Sequence, residues 1–553
     1  MDGAQPQAKP LAEPTWLADG RLRWALFMAL VIFAASRAFL LDDAFISLRY
    51  AENFAQGEGL VFNPGEAVEG YTNFLWTLLL SLPFWLGLDP LLFTHILSLT
   101  LLAGTLALTY QLAERILGSA RLSLLAVATL GLLNGASAFG TSGLETQLLT
   151  FLTVASLGLA LRESLAPRHA FLLSLTSAAA VMTRPDAAIM ALAWGLIALW
   201  RARRTERFAQ ILALLILPAA LLGALWAFFK LSFYGDLLPN TYYAKLGGTS
   251  DLMWGLEYLW AFSLATLLLP MALLSPLWRK PPDRARTPQA SNLRALWFVL
   301  LLHTIVVALV GGDFMHFRFM VPLMPVMVIL ILQSLANQVG RAVLVGASLV
   351  LWGYLSPAAL TEAAGIEDIS TLEGHLHTPH QDWVGVGKHL RYDLPDRSDV
   401  RIATTAAGAI PYYSKLPTLD MLGLTDAEVA HHGDLFEAQR NHTRIAPFRL
   451  LKEQGVNLML GQPWLRRPSP KRRYRFGHLR NFNVFKTLKS IRLPPRTRIV
   501  EIPLGPRRVL VALYLTPHPH IESLIESRRW RAYDLTAGRH KSPSAGSFGS
   551  RRP

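Results

Sequence analysis

Long apolar runs dominate the first two thirds of the chain. The first covers residues 24–41 and ends at a pair of aspartates. A membrane-spanning helix needs about 20 apolar residues, and runs close to that length recur up to residue 360. They cover residues 73–112 (one or two crossings), 122–139, 144–161, 169–183, 187–200, 208–229, 253–278, 293–310, 319–335 and 342–360. This pattern predicts a mainly α, polytopic membrane protein with about eleven to thirteen transmembrane helices.

Beyond residue 360 the pattern changes. Short apolar segments at 400–403, 457–460, 499–502 and 509–515 alternate with polar, helix-compatible stretches, which predicts a compact α/β domain. The final residues are rich in Ser, Gly and Arg and predict a disordered tail. The predicted domains are a cytoplasmic N-terminal tail (1–22), a transmembrane domain (23–360) with a first external loop (42–72), an external α/β domain (361–535) and the disordered tail (536–553).

Two arginine-rich loops predict the orientation. They contain Arg201, Arg203, Arg204 and Arg207 in one case and Arg279, Lys280, Arg284, Arg286 and Arg294 in the other. Basic loops remain cytoplasmic, so the polar segments 143–146, 184–186, 234–245 and 311–319 are expected on the opposite face, with the α/β domain. With a cytoplasmic N-terminus, this orientation requires residues 73–112 to cross the membrane an odd number of times. We therefore expect one part of them to lie in the membrane interface or to re-enter it. We read the first apolar run as an uncleaved anchor.

Composition supports this interpretation. Of 553 residues, 52% are hydrophobic and only 16% are charged, and the mean hydropathy is +0.32. The net charge of +15 belongs first to cytoplasmic loops and anionic headgroups, so nucleic acid is not implied. With 0 cysteines, thiolate chemistry and Cys-based metal sites are excluded.

The first external loop is the strongest candidate for chemistry. Asp42 and Asp43 follow the first apolar run directly, at the boundary between lipid and water. Carboxylates near hydrocarbon are costly to desolvate and are usually kept for proton transfer or for a polar ligand. The alternative is a pair that merely caps a helix end. The loop then supplies hydrogen-bonding groups suited to a sugar, and the candidate sugar or acceptor residues are Arg49, Tyr50, Glu69, Tyr71 and Asn73.

The stretch DDAFISLRYAENFAQGEGLVFNPGEAVEGYTNFLW, residues 42–76, resembles the first external loop of GT-C membrane glycosyltransferases. Within them it most resembles the AftB-like arabinofuranosyltransferases of bacterial envelopes. The resemblance implies a polyprenyl-phosphate sugar as donor and a paired acidic motif that matches Asp42 and Asp43. It is weaker at the later external loops and at residues 420–426. It does not specify the sugar.

Two later loops carry candidate phosphate ligands. YGDLLPNTYYAK, residues 234–245, offers Asn240 and Tyr242 for the sugar, and Lys245 for the lipid phosphate. The alternative for its tyrosines is an aromatic belt. GGDFMHFRF, residues 311–319, offers Arg318 for the phosphate, with His316 assisting and Asp313 near the sugar. Alternatively, Asp313 and Arg318 simply pair at a helix start.

The remaining candidates lie at helix starts and in the external domain. Arg184 precedes Pro185 and Asp186 and either binds phosphate or snorkels, and Glu145 is either a second carboxylate or a helix N-terminal charge. In the external domain, Tyr412, Asp420 and Asp426 either line an acceptor groove or serve turn chemistry.

Together these features predict an inverting GT-C glycosyltransferase in the bacterial inner membrane, with its site facing the exterior. It would move a sugar, expected to be arabinofuranose, from a polyprenyl-phosphate donor to an envelope glycan or glycoprotein acceptor. Asp42 or Asp43 would be the base. The alternatives are a GT-C enzyme that uses another lipid-linked sugar, such as mannose or aminoarabinose, and a transporter or flippase for a polar lipid. We predict no cofactor and no metal site, and leave dependence on a divalent metal open.

Overall fold

A computed structural model describes residues 20–245, 251–278, 288–439, 442–468, 474–482, 493 and 497–535. The predicted N-terminal tail up to residue 19, most of the second basic loop and the predicted disordered tail lie outside these residues. The chain divides into two compact units: residues 1–374 with 437–443, and residues 375–436 with 444–553. The predicted boundary at 360 therefore falls earlier than the division in the structure.

The first unit is helical. Three short 3-10 segments, Pro185–Ala187, Ser275–Trp278 and Arg318–Leu323, interrupt the α-helices. The α-helices are α1 (Gly20–Ala35), α2 (Asp42–Ala55), α3 (Phe74–Leu86), α4 (Pro90–Leu117), α5 (Ala120–Leu132), α6 (Asn134–Phe139), α7 (Thr146–Ala160), α8 (Pro167–Thr183), α9 (Ala188–Ala202), α10 (Phe208–Phe233), α11 (Asn240–Lys245), α12 (Asp251–Thr266), α13 (Leu268–Leu274), α14 (Pro288–Val310), α15 (Met324–Ser334), α16 (Val339–Leu355), α17 (Ala359–Glu362) and α18 (Ile369–His377).

Several of these helices can cross a membrane. Within the described residues, α4, α10 and the 290–310 part of α14 are long and apolar enough, and α12 with residues 268–278 forms a fourth candidate bent by 89°. Five further apolar helices are shorter, among them α3, α5, α7 and α16. The mainly helical, multi-pass membrane architecture is confirmed. The number of crossings stays a prediction, because the short helices alone do not reach across a hydrocarbon core of about 30 Å.

The ambiguous segment 73–112 forms two separate helices. α3 has 13 residues, a length of about 20 Å at 1.5 Å per residue. It ends at Gly87, which adopts a left-handed conformation with φ 67°. Asp89 then caps α4 by accepting from the backbone N–H groups of Leu91 and Leu92. The short α3 is consistent with the predicted interfacial or re-entrant piece.

The second unit is an α/β domain, which confirms the predicted class. Its elements are α19 (Trp383–Asp393), β1 (Ile402–Thr404), α20 (Ala409–Ser414), β2 (Thr418–Asp420), α21 (Ala427–His432), β3 (Asp434–Gln439), β4 (His442–Ile445), α22 (Phe448–Glu453), β5 (Leu458–Arg466), a 3-10 segment (Phe476–Phe482), β6 (Arg498–Pro503), β7 (Val509–Tyr514), α23 (Pro519–Glu526) and β8 (Arg531–Asp534). One sheet has the order β2-β1-β5-β7-β6-β8, and β3 pairs with β4.

The apolar segments of the sequence form the centre of that sheet. β1 lies parallel to β2 and β5, whereas β7 lies antiparallel to β5 and β6. Every residue of β7 is buried, as expected for a central strand covered on both faces. The four predicted strand segments therefore correspond to β1, β5, β6 and β7.

The first external loop is folded around α2. The buried Arg49 donates from Nε to the carbonyl of Phe62 at 2.7 Å and from Nη2 to Oδ1 of Asn63 at 3.1 Å. Tyr50 donates its hydroxyl to the carbonyl of Val68 and accepts from the N–H of Gly70. Buried backbone groups in an irregular loop need such partners. Both side chains thus hold residues 56–73 against the helix.

A buried ion pair ties this loop to α10. Lys230 Nζ lies 2.9 Å from a carboxylate oxygen of Glu69, and both side chains are at most 5% exposed. Next to it, the hydroxyls of Tyr71 and Tyr234 lie 3.0 Å apart, and Tyr234 donates to the carbonyl of Leu60. Burial raises the pKa of Glu69 to about 7, although Lys230 opposes the shift. The loop is therefore held in place by an ion pair in which the pKa of the carboxyl group, Glu69, is close to neutral pH.

We expect Lys230→Met to destabilise the protein and to make its stability depend on pH. Removing one partner of a buried ion pair costs on the order of 3–5 kcal/mol at high pH, where the carboxylate is charged. Without Lys230 the pKa of Glu69 rises further, so lowering the pH protonates the carboxyl and restores stability. The measurement is the thermal midpoint of purified protein at about pH 5.5 and 8.5. The double variant Glu69→Gln/Lys230→Met serves as the control and should show little pH dependence. Equal losses in the single and double variants would contradict the coupling.

Candidate active site

Asp43 lies in the first turn of α2, at its positive N-terminal end. The start of the helix is fixed to the neighbouring loop, because the N–H of Leu41 donates to the carbonyl of Ser142 at 3.0 Å. Asp43 is half-buried, and within the described part of the chain its carboxylate accepts no hydrogen bond. Burial raises the pKa of Asp43 above its usual value, although Arg318 and Lys245 act in the opposite direction. An enclosed, unoccupied carboxylate with a raised pKa is suited to accept a proton.

Asp42 differs from its neighbour. It is also half-buried in the first turn of α2, but it has a partner. The sequence could not separate the two aspartates. The two therefore differ in that only the carboxylate of Asp43 accepts no hydrogen bond within the described residues.

Arg318 interacts electrostatically with Asp43. Its Nε lies 2.7 Å from a carboxylate oxygen of Asp313, and the two side chains are 9% and 1% exposed. The other oxygen of Asp313 accepts from the N–H of Phe314. Within the described residues, no side chain or backbone group hydrogen-bonds the terminal nitrogens of Arg318. Asp313 therefore orients the guanidinium through Nε. The two terminal nitrogens, which form the planar fork of the guanidinium, remain available to bind an anion.

Arg184 is held more fully. It donates from Nη1 to Glu145 at 3.0 Å, and from Nε and Nη2 to the two carboxylate oxygens of Asp186 at 3.0 and 3.1 Å. Its guanidinium also lies over the ring of Phe319, 4.6 Å from the centroid. Two carboxylates already neutralise this cation, so it joins α7 to the break between α8 and α9 and contributes less to an anion than Arg318 does.

Glu145 extends this network to the first loop. Its second carboxylate oxygen accepts from Asn73 Nδ2 at 3.0 Å. Asn73 in turn bonds Ser47 of α2 and accepts from Thr77 of α3. Glu145 is 3% exposed. The chain from Arg184 through Glu145 and Asn73 to α2 fixes the position of the aspartates relative to the cations.

A pocket opens beside the two arginines. Its polar lining residues include Arg184, Asp186, His303 and Arg318, and the rest of the lining is mainly apolar. The other lining residues are Thr146, Leu149, Met190, Val306, Val307, Val310, Phe319 and Pro322. An arginine among apolar walls is suited to an anionic headgroup with a hydrocarbon tail.

Lys245 stands at the end of α11 with an exposed side chain. It is close enough to Asp43, Asp313 and Arg318 to interact with them electrostatically. The N–H of Asn240 at the start of α11 donates to the carbonyl of Glu69, so the external loop is attached to the first loop. Tyr242 is 46% exposed. The predicted roles of Lys245, Asn240 and Tyr242 stay predictions, and the electrostatic interaction of Lys245 with Asp43 and Arg318 supports the first of them.

His316 points elsewhere. It lies on the loop that carries Arg318, but it lines a different pocket, with residues of α5, α6, α12, α13, α15 and α16. The two lining sets share no residue. The predicted phosphate role of His316 stays a prediction, and its position does not support that role.

The other loop candidates are used by the fold. Arg49, Tyr50 and Tyr71 bond groups of the first loop or of α10, and each is at most 5% exposed. Their predicted contact with a sugar stays untested, and their side chains have structural partners instead.

The candidate residues of the external domain also make contacts within the fold. Asp420 is fully buried and accepts from the N–H groups of Leu422 and Thr425, and burial raises its pKa to about 6. Asp426 caps α21 through Val429. Lys415 lies 4.2 Å from the ring centroid of Tyr412. These contacts correspond to the turn chemistry that was the alternative in the sequence.

Sequence reasoning missed three polar groups of this region. Lys230 directly follows the apolar run 208–229, and His303 lies within the run 293–310, with its Nε2 2.8 Å from the carbonyl of Phe319. Asp186 was treated only as a helix-start charge. An ionisable residue inside an apolar run was the available signal, because such residues in membrane segments are usually retained for a purpose.

Comparisons with known proteins agree with the resemblance seen in the first loop. A terminal beta-(1->2)-arabinofuranosyltransferase of Mycobacterium tuberculosis is 30% identical over 370 residues, which cover 57% of this chain and 57% of that protein. The protein of the same name from Corynebacterium glutamicum is 30% identical over 409 residues, covering 64% of this chain and 54% of that protein. The matched region thus spans little more than half the length of either relative.

A family model and solved structures also match the chain. Residues 375–498 match a family described as a domain of unknown function (DUF8728). The crystal structure of ArnT from Cupriavidus metallidurans in the apo state aligns with a TM-score of 0.49 at 12% identity, covering 89% of this chain and 98% of that one. The predicted resemblance to arabinofuranosyltransferases is confirmed by the two sequence relatives.

Proposed function

We propose that the protein is a membrane glycosyltransferase that transfers a sugar from a polyprenyl-phosphate donor with inversion at the anomeric carbon. The observation that carries this proposal is the pairing of a free carboxylate, Asp43, with the open guanidinium fork of Arg318 in one site. A base and an anion-binding group on opposite sides of a reacting carbon are what such a displacement needs.

The reaction would proceed in one step. The acceptor hydroxyl oxygen attacks the anomeric carbon while its proton passes to a carboxylate oxygen of Asp43. The bond from the anomeric carbon to the phosphate oxygen breaks, and its electron pair stays on the departing phosphate. Arg318 stabilises the charge that develops there, with the ammonium of Lys245 nearby. Asp313 and the network around Glu145 position these groups.

The pocket beside Arg184 and Arg318 would hold the donor. The lipid phosphate would lie beside Arg318, and the first isoprene units would pack against Leu149, Met190 and the valines of α14. Burial of apolar tail surface contributes about 25 cal/mol per Å², so the tail adds affinity without entering the chemistry.

We infer that the sugar is arabinofuranose and that the acceptor is an envelope glycan or glycoprotein. The sugar is supported by the activity for which both sequence relatives are named. That the protein has no cofactor and no metal site stays a prediction, which leaves dependence on a divalent metal open. The test is mass spectrometry of envelope glycans and glycoproteins from a deletion strain. Loss of terminal arabinofuranose is expected, and loss of a different sugar would replace this assignment.

We also propose that the site faces the exterior of the inner membrane. The support is the basic cluster between α9 and α10, which favours the cytoplasm. A reporter that is active only outside the cytoplasm should work when fused after Ala363 and fail when inserted near Arg203. The reverse pattern would overturn the orientation.

A further inference from the structure

A second pocket lies on the other side of the loop that carries Arg318. It is lined by segments where helices break or end: the junction of α5 and α6, the bend between α12 and α13, and the end of α16. The lining residues are Leu133, Asn134, Gly135, Ala265, Thr266, Leu268, His316, Phe317, Met324, Gly353 and Ser356. None of the groups that take part in the proposed reaction, Asp43, Arg318 and Lys245, lines it.

Phe317 explains why neighbouring side chains reach different pockets. It adopts a left-handed conformation with φ 56°, which costs a non-glycine residue about 1 kcal/mol or more. Its buried ring packs 5.6 Å from Tyr258 and 5.4 Å from Phe262. This turn sends His316 to one side of the loop and Arg318 to the other.

The backbone around His316 is pinned. Its N–H donates to the carbonyl of Glu367 at 3.0 Å, and the N–H of Glu367 donates to the carbonyl of Phe314 at 2.7 Å. Gly312 allows the approach of Tyr258, since a Cβ there would lie 2.4 Å from the Tyr258 ring. The imidazole is therefore presented by a fixed loop and not by a mobile one.

Several hydrogen-bonding groups in the pocket are available. His316 Nδ1 is buried and has no partner within the described residues. Ser356 Oγ likewise has none there. Arg37 donates to Asn134 Oδ1 at 3.4 Å, which leaves the amide nitrogen of Asn134 for another acceptor. Burial lowers the pKa of His316 to about 4, so the imidazole is neutral and can donate or accept.

The chemistry of the lining indicates the class of ligand. No lining residue carries a charge near neutral pH, so an anionic headgroup inside the pocket would be left without a counter-ion. Neutral donors and acceptors between apolar walls suit hydroxyl groups, which both donate and accept. Arg37 remains at the border, held by Tyr354 and Asn134.

We propose that this pocket, formed by Asn134, His316 and Ser356, binds a sugar residue of the acceptor glycan at a distance from the residue being extended. The inference rests on the proposed function, and it adds a subsite that measures acceptor length. The loop 311–319 would then carry Arg318 for the donor on one side and His316 for the acceptor on the other.

The test uses purified full-length protein with polyprenyl-phosphoryl arabinose as donor and synthetic arabinofuranosides of two and six residues as acceptors. His316→Phe keeps a ring and removes both nitrogens. We expect it to raise KM for the hexasaccharide about tenfold, because one or two hydrogen bonds of about 0.5–1.5 kcal/mol are lost. KM for the disaccharide and kcat should stay within about twofold of wild type. Ser356→Ala should act in the same direction with a smaller effect.

The control is His377→Phe, the same substitution at an exposed position. Equal changes with both acceptors, no change with either, or weaker binding of a polyprenyl-phosphate analogue in His316→Phe would overturn the subsite. Binding of the hexasaccharide by saturation-transfer NMR separates the two claims. Wild-type binding that is lost in His316→Phe supports the subsite even without turnover, whereas absence of turnover with every acceptor counts against the proposed function.

Discussion

Asp43→Asn is expected to reduce sugar transfer by a hundredfold or more while leaving expression and donor binding intact. The substitution keeps the volume of the side chain and removes the proton acceptor, and general-base catalysis contributes about 10² to 10⁴ in rate. The loss should appear in kcat, because Asp43 does not bind the phosphate. The measurement is turnover by purified protein, together with binding of a polyprenyl-phosphate analogue.

Two comparisons make this result specific. Asp42→Asn should retain more activity, since Asp42 already interacts with another group whereas the carboxylate of Asp43 accepts no hydrogen bond within the described residues. Asp396→Asn changes a carboxylate that is 83% exposed and should have no effect. Full activity of Asp43→Asn would remove Asp43 from the mechanism. A greater loss in Asp42→Asn would exchange the roles of the two aspartates.

A pH profile gives the same claim a second readout. Because burial raises the pKa of Asp43, the carboxyl is protonated and inactive up to a higher pH than an ordinary aspartate. Activity should therefore fall on the acid side through this raised value. In Asp43→Asn the residual rate should lose that acid limb.

Arg318→Lys is expected to weaken donor binding about tenfold to a hundredfold although the charge is kept. A lysine cannot reproduce the planar fork, and a charge-assisted hydrogen bond contributes about 1.5–3 kcal/mol. It also loses the Nε that Asp313 holds at 2.7 Å. The measurement is binding of a polyprenyl-phosphate analogue in nanodiscs.

Arg184→Lys provides the matched comparison. Arg184 is already engaged by Glu145 and Asp186, so its replacement should lower stability more than it lowers donor affinity. Unchanged binding in Arg318→Lys, with a clear loss in Arg184→Lys, would move the phosphate to Arg184. Unchanged binding in both would leave Lys245 as the remaining candidate.

Much of the architecture could be predicted because it follows from periodicity. Apolar runs gave the helices, and the four short apolar segments gave β1, β5, β6 and β7. The breaks inside the runs were harder to predict. At the left-handed Leu267, which separates α12 from α13, the sequence signal is Pro270 three residues later; it indicates a break in the run but not its exact position or the bend of 89°.

The site was predicted in outline and not in detail. The position of Asp43 after an apolar run was visible in the sequence, as was the arginine at 318. The different positions of neighbouring candidate residues were not visible in the sequence. Sequence spacing places His316 and Arg318 together, but the backbone turn at Phe317 directs them to different pockets. Likewise, Arg49 and Tyr50 resemble sugar ligands in the sequence, and only the folded loop reveals their partners.

The most direct test of the central claim is a single-turnover assay with purified wild-type protein and Asp43→Asn. Both proteins would be given a radiolabelled polyprenyl-phosphoryl arabinose and a short arabinofuranoside acceptor. The expected result is an arabinosylated product and free polyprenyl phosphate in equal amounts from wild type, with the donor bound but unconverted by Asp43→Asn. Product formation by both proteins at similar rates, or no binding of the donor by wild type, would contradict the assignment of Asp43 and Arg318 to one transferase site.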